Sequence, residues 1–105
     1  MYQYRCTLER VIDGDTVDLG VDLGFRIHVH TRFRLAGIDA PELRGETSEA
    51  GAASKIWLVE ILENATLLMV KSTRGDKYGR WLADIWADGV NVNEEMVALG
   101  YAVRW

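Results

Sequence analysis

From Phe25 to Leu35 apolar and basic side chains alternate almost without exception. Phe25, Ile27, Val29, Phe33 and Leu35 share one face with Thr31, and Arg26, His28, His30, Arg32 and Arg34 share the other. A period of two places successive side chains on opposite faces of a strand, so this segment predicts a sheet with one face on the core and a basic outer face. A half-buried strand needs partners, and 105 residues leave room for one domain around a single modest core. With 49% hydrophobic and 27% charged residues, one proline and no repetitive or Ser-rich stretch to mark a linker, residues 1–105 are expected to fold as one unit.

The neighbours of that strand follow from similar signals. Residues 2–12 and 15–21 read as strands separated by the turn pair Asp13-Gly14, and Asp22-Leu23-Gly24 supplies the next turn. Pro41 ends the alternating strand and forces an open loop. A helix is predicted over 48–64, capped by Thr47 or Ser48, with Ala53, Trp57, Ile61, Leu58 and Leu62 as its apolar stripe. Residues 65–72 and 80–87 give two more strands, joined by a polar turn from Gly75 to Gly79, and Asp88-Gly89 closes the second. A final helix starts at Asn93 as cap, carries Glu94 and Glu95 in its first turn, stops before Gly100, and is expected to staple Val92 onto Val97. Trp57, Trp81 and Trp86 are expected in the core, while the place of Trp105 is open. The element order predicts a β-rich α+β fold, a five-stranded barrel of the oligonucleotide-binding (OB) type with two or three helices.

A formal net charge of −4 argues against a protein that holds nucleic acid by bulk charge, so polyanion binding would rest on locally sorted arginines or on a bound cation. No apolar run approaches the ~20 residues of a membrane helix, and the start lacks the apolar stretch of a signal peptide. No membrane partner is expected, and a cytoplasmic setting is favoured over a secreted one. Cys6, the single cysteine, excludes an intrachain disulfide and a thiolate metal cluster.

Three separate stretches carry the charged groups that metal-assisted phosphodiester cleavage needs: Asp13-Gly14-Asp15-Thr16, Arg34 through Glu42, and Asp76-Lys77-Tyr78-Gly79-Arg80. Asp13 and Asp15 do not open a calcium-binding helix-loop-helix, because Asp18 stands where that loop needs glycine and Gly24 where it needs glutamate. Taken alone, each stretch also reads as ordinary turn or loop chemistry. Together, Asp15 and Asp39 offer hard oxygen ligands for a divalent cation, leaving positions for water and a phosphate oxygen, and Glu42 is free to handle an attacking water. Arg34 and Arg80 present planar forks that match phosphate oxygens. His28 and His30 share a strand face, but their arginine neighbours suit a solvated face or a nucleic-acid backbone better than zinc.

The order and spacing of these motifs, together with Val92-Asn93-Glu94 through Gly100 and Ala102, resemble the thermonuclease family of staphylococcal nuclease-like domains over most of the chain, from Val11 to Ala102. The resemblance implies a calcium-dependent nuclease on an OB barrel that cleaves DNA, RNA or both to products ending in a 3′-phosphate. It implies calcium held by Asp15, Asp39 and the backbone carbonyl of Ala40, where the family usually has threonine. Glu42 would be the general base or its orienter, Arg34 and Arg80 would clamp the phosphate, and Lys77 and Tyr78 would contact the nucleotide. Better known members are basic and continue into a long C-terminal helix that is absent from these residues, which implies a weaker grip on substrate. A non-catalytic module that binds nucleic acid or protein is the alternative expectation. A monomer is expected, or a weak homo-oligomer formed through the shortened C-terminal end.

Overall fold

A computed structural model of the chain describes residues 3–73, 75 and 80–105. Strand β1 (Tyr4–Asp13) turns through Gly14 and Asp15 into β2 (Thr16–Asp22), and β2 pairs antiparallel with β3 (His28–Leu35). A short β4 (Ile38–Asp39) and a 3-10 turn (Gly45–Thr47) lead to α1 (Ser48–Glu63). Strand β5 (Leu68–Thr73) pairs antiparallel with β6 (Trp81–Ala87), and β7 (Val90–Asn91), α2 (Val92–Ala98) and β8 (Val103–Arg104) complete the chain. The sheet runs β3-β2-β1-β5-β6-β7, and parallel pairing of Phe33–Leu35 with Trp81–Ala83 closes its first five strands into a barrel. This is the predicted five-stranded barrel with its helices outside it. Among the described residues no helix is long and apolar enough to cross a membrane.

The core holds the inward residues of each strand, led by Val17, Leu19, Leu35, Val70 and Ile85, against Leu58 and Leu62 of α1 and Val92 and Met96 of α2. On α1 the buried positions are Gly51, Ser54, Leu58 and Leu62, so the stripe lies one residue away from the predicted one: Ala53 is exposed, and Trp57 and Ile61 are half-buried. Close approach of backbone selects that face, as the contacts of Gly51 below make plain. Trp81 is exposed and Trp86 half-buried, so of the three tryptophans expected in the core only Trp57, itself half-buried, packs against it.

The alternating segment forms a strand only from His28. Gly24 to Ile27 instead make a tight turn, closed by the Ile27 N–H donating to the Gly24 carbonyl at 2.9 Å, with Phe25 at φ 54° and Arg26 at φ 63°. Phe25 therefore points into solvent, 96% exposed, and Ile27 and Val29 are also exposed, leaving Phe33 and Leu35 as the core contribution of β3. Turn geometry overrides the hydrophobic pattern here, because the twist of the two strands selects a turn with both central residues left-handed.

At the other end of the molecule, Asn91 is the cap of α2: its side chain accepts from the Glu94 N–H at 3.0 Å. Asn93, the predicted cap, is buried instead. Its amide donates to the carbonyls of Ala36 and Ala83, both at 3.0 Å, and its oxygen accepts from the Ile85 N–H at 3.3 Å. Asn93 thus ties α2 to β6 and to the turn after β3. Val92 is fully buried inside the first turn and does not serve as the staple expected. Gly100 follows the helix at φ 83°, as predicted for a left-handed stop.

Candidate active site

Four segments meet at one end of the barrel: the β1–β2 turn, the end of β3, the loop after β4, and β8. The β1–β2 ladder shifts register between Val11 and Asp13, and the Asp13–Thr16 pair closes the turn that presents Asp15. Asp13 Oδ1 accepts from the Asp15 N–H at 3.1 Å, which fixes the turn. Packing at the turn is tight. A Cβ on Gly14 would lie 2.8 Å from the Cβ of Ser54 and 2.9 Å from that of Ala40, so only glycine lets helix α1, the turn and the Ala40 loop nest together.

Asp15 is buried, and both of its oxygens are engaged. Oδ1 accepts from the Thr16 hydroxyl at 3.1 Å, Oδ2 accepts from the Ala40 N–H at 3.0 Å, and Arg34 Nη2 stands 3.6 Å from Oδ2. Arg34 is buried as well. Its Nη2 donates to Asp39 Oδ1 at 3.0 Å, and its Nη1 donates to the Ile38 carbonyl at 3.3 Å. The guanidinium therefore joins the two carboxylates that the sequence assigned to a cation. Its Cζ lies over the Trp105 ring, 4.8 Å from the ring centroid.

Burial, with the adjoining Asp13 carboxyl adding to it, pushes the Asp15 carboxyl from its ordinary 3.8 up to about 6, against the lowering effects of the Ala40 N–H and Arg34. Asp15 and Asp39 thus stand against one guanidinium, with Asp13 beside Asp15, an excess of negative charge that a cation would relieve. The donors are all oxygens, which suits a hard divalent ion such as calcium or magnesium and not zinc. Among the described residues no three His, Cys, Asp or Glu side chains converge on one point. Asp15 and Asp39 supply the two carboxylates at this point, with Arg34 Nη2 3.6 Å from the one and 3.0 Å from the other.

Glu42 is exposed, and its carboxylate has no hydrogen-bonding partner among the described residues. Its backbone, by contrast, is held on two sides. The Thr47 hydroxyl, expected to cap α1, donates to the Glu42 carbonyl at 3.1 Å. A Cβ on Gly51 would come within 2.2 Å of the same carbonyl oxygen, so the helix backbone presses directly on this loop. Arg80 is half-buried and immediately precedes β6, whose first residue, Trp81, pairs with Phe33 next to Arg34. Lys77 and Tyr78 lie outside the described residues.

Three members of this neighbourhood are not legible as such in the sequence. Gly14 and Gly51 matter for the space they leave, and Trp105 has no assigned place there. Small residues facing acidic loops were the one available signal, and it is weak by itself. The paired histidines take no part: His30 Nδ1 lies 2.5 Å from Glu9 Oε2, His28 is exposed on the outer sheet face, and Arg32 is paired with Asp18.

Residues 32–105 match the family model described as staphylococcal nuclease homologue. Among curated proteins, the chain is 37% identical over 94 residues to an uncharacterized endonuclease of Escherichia coli O157:H7, covering 89% of this chain and 56% of the relative. It is 33% identical over 112 residues to the protein ParB of Escherichia coli, covering 95% of this chain and 56% of ParB. A protein of Methanocaldococcus jannaschii, MJ1439, is 29% identical over 125 residues, with 94% of this chain and 58% of that protein covered. The chain spans little more than half the length of these relatives.

Proposed function

The chain belongs to the staphylococcal nuclease homologue family, and on that premise we propose that it is a nuclease hydrolysing phosphodiester bonds of DNA, RNA or both with calcium, leaving 3′-phosphate ends. The observation that carries the reading is Arg34, held between Asp15 and Asp39 at the end of a barrel strand. A guanidinium serving only to neutralise one surface carboxylate needs neither burial nor two acidic partners.

Asp15 and Asp39, with the Ala40 backbone beside them, would hold the ion. When bound, calcium supplies charge neutralisation and polarisation of a phosphate oxygen. The chain's own groups do the rest. Arg34 uses two of its five N–H groups on Ile38 and Asp39, which leaves others to donate to phosphate oxygens as phosphorus becomes five-coordinate. Arg80 donates from the position just before β6, beside the parallel pair that β6 makes with β3. Glu42, solvent-facing and without a hydrogen-bonding partner among the described residues, takes a proton from the attacking water or orients it. Water adds to phosphorus, the bond from phosphorus to the 5′-oxygen breaks, and the 5′-oxygen leaves with a proton from solvent. Lys77 and Tyr78 are proposed to contact the nucleotide on the strength of their sequence positions.

Incubation of the purified protein with single-stranded DNA and calcium tests the proposal. Cleavage is expected, with 3′-phosphate ends in the products and loss of activity on adding a calcium chelator. Removing one phosphate donor with Arg34→Ala should lower kcat about a hundred- to a thousandfold. Activity no greater than that of an Arg34→Ala, Glu42→Gln double variant, across calcium concentrations and mildly alkaline pH, would refute it. Tight oligonucleotide binding without calcium dependence or cleavage would instead establish a binding module.

A further inference from the structure

We propose that Trp105 is a positioning residue for Arg34: its indole fixes the plane of the guanidinium so that the remaining N–H groups face one direction. The inference rests on Arg34 serving the substrate phosphate, as proposed above.

Arg34 is restrained in its own plane by two hydrogen bonds, to the Ile38 carbonyl at 3.3 Å and Asp39 Oδ1 at 3.0 Å, and the longer of these is weak. Bonds of this kind resist sliding within the plane far better than tilting out of it. Arg34 Cζ lies over the Trp105 ring, 4.8 Å from its centroid, so the indole adds both a packing contact and the attraction of a cation to an aromatic face. A guanidinium is planar and delocalised, so restraining its face aims every free donor at once.

The backbone shows that this placement is built into the fold. Strand β8 pairs with β4 in the register Ile38 to Arg104 and Asp39 to Val103, so the strand that carries Trp105 also holds the backbone of Asp39. The Trp105 N–H donates to the Gly37 carbonyl at 3.0 Å. Arg104 forks onto Glu94 of α2, with its shorter contact at 2.7 Å, and ties the other side of the strand down. Burial of apolar surface does not explain the position, because Trp105 remains 81% exposed. An indole that takes so little from the core and yet sits over a buried cation is there for the cation.

Because Trp105 buries little, Trp105→Leu is expected to fold with an unchanged melting temperature, and Trp105→Phe supplies an aromatic control. The first readout is independent of catalysis. The Arg34 side-chain proton resonances, identified by their loss in Arg34→Lys, should be shifted upfield by the ring in the parent, keep most of that shift in Trp105→Phe, and move downfield in Trp105→Leu. The second is kinetic: Trp105→Leu should lower kcat about tenfold with KM within about twofold, Trp105→Phe should restore most of the rate, and Trp105→Leu should add no loss in an Arg34→Ala background. Arg34 resonances that stay in place in Trp105→Leu, or equal losses with and without Arg34, would overturn the proposal. If no variant and no parent cleaves DNA, the nuclease reading fails, while the resonance shift still decides where Trp105 sits and what it holds.

Discussion

At the scale of single residues, the charged groups of the site were legible in the sequence, and their pairings were not. Asp15, Asp39 and Arg34 stand out in the sequence by type and spacing, and the fold brings the three together. That Asp13 loads further charge onto Asp15, or that Trp105 covers Arg34, depends on contacts between segments far apart in the chain. The Asp15 carboxyl carries a measurable consequence. Its pKa in the folded state, about 6, is above its ordinary 3.8, so between those values the folded protein binds more protons than the unfolded one. Stability attributable to this group therefore falls as pH rises through that window, and the penalty is fully present above pH 6. Without divalent ions, Asp15→Asn should be more stable than the parent by about 1–3 kcal/mol at pH 8, with the difference shrinking to little below pH 4. Denaturant titrations of both proteins at the two pH values check this, and equal stability at pH 8 would contradict it. Phe25 offers a second test at this scale. Left-handed at φ 54° and almost fully exposed, it has nothing to lose on replacement, so Phe25→Gly should raise stability by about 0.5–1 kcal/mol, read as an upward shift in Tm.

At the scale of elements, period and capping revealed which segments form strands and helices, because those signals are local. They placed Leu58 and Leu62 on the inward face of α1 but missed Gly51 and Ser54, which are buried for their small size and the closeness of neighbouring backbone. Hydrophobic periodicity has no way to register that reason. Helix α1 consequently acts as a spacer under the Glu42 loop, and its distance from the loop is set by the missing side chain at Gly51. Gly51→Ala should push the loop outward, costing about 1–3 kcal/mol of stability and lowering kcat by more than the unfolded fraction accounts for. Thermal melts and initial rates measured on the same preparation separate the two effects. For α2, local capping rules assigned the cap two residues too late: Asn91 caps, and Asn93 satisfies backbone groups of two other elements. Asn93→Ala removes three interior hydrogen bonds at once, and should cost about 2–4 kcal/mol in denaturant unfolding.

At the scale of the whole molecule, the OB barrel was legible from the order of elements, and the fold confirms it. Its closure was not legible, because parallel pairing between strands separated by a helix leaves no mark on either strand alone. The net charge of −4 also has a collective effect. If substrate is held mainly by Arg34 and Arg80, the logarithm of KM for single-stranded DNA should rise with the logarithm of salt concentration at a slope of about 1–2; a slope above about 4 would reveal a larger cationic surface. The parallel contact between β3 and β6 amounts to three residue pairs, Phe33 with Trp81, Arg34 with Leu82 and Leu35 with Ala83. Seen as a zip, the barrel is fastened by three teeth, of which Arg34 is the middle one, and Arg80 stands beside the first. Any breathing that undoes those teeth scatters both arginines while the rest of the sheet stays paired, so warming should extinguish the activity before it melts the core.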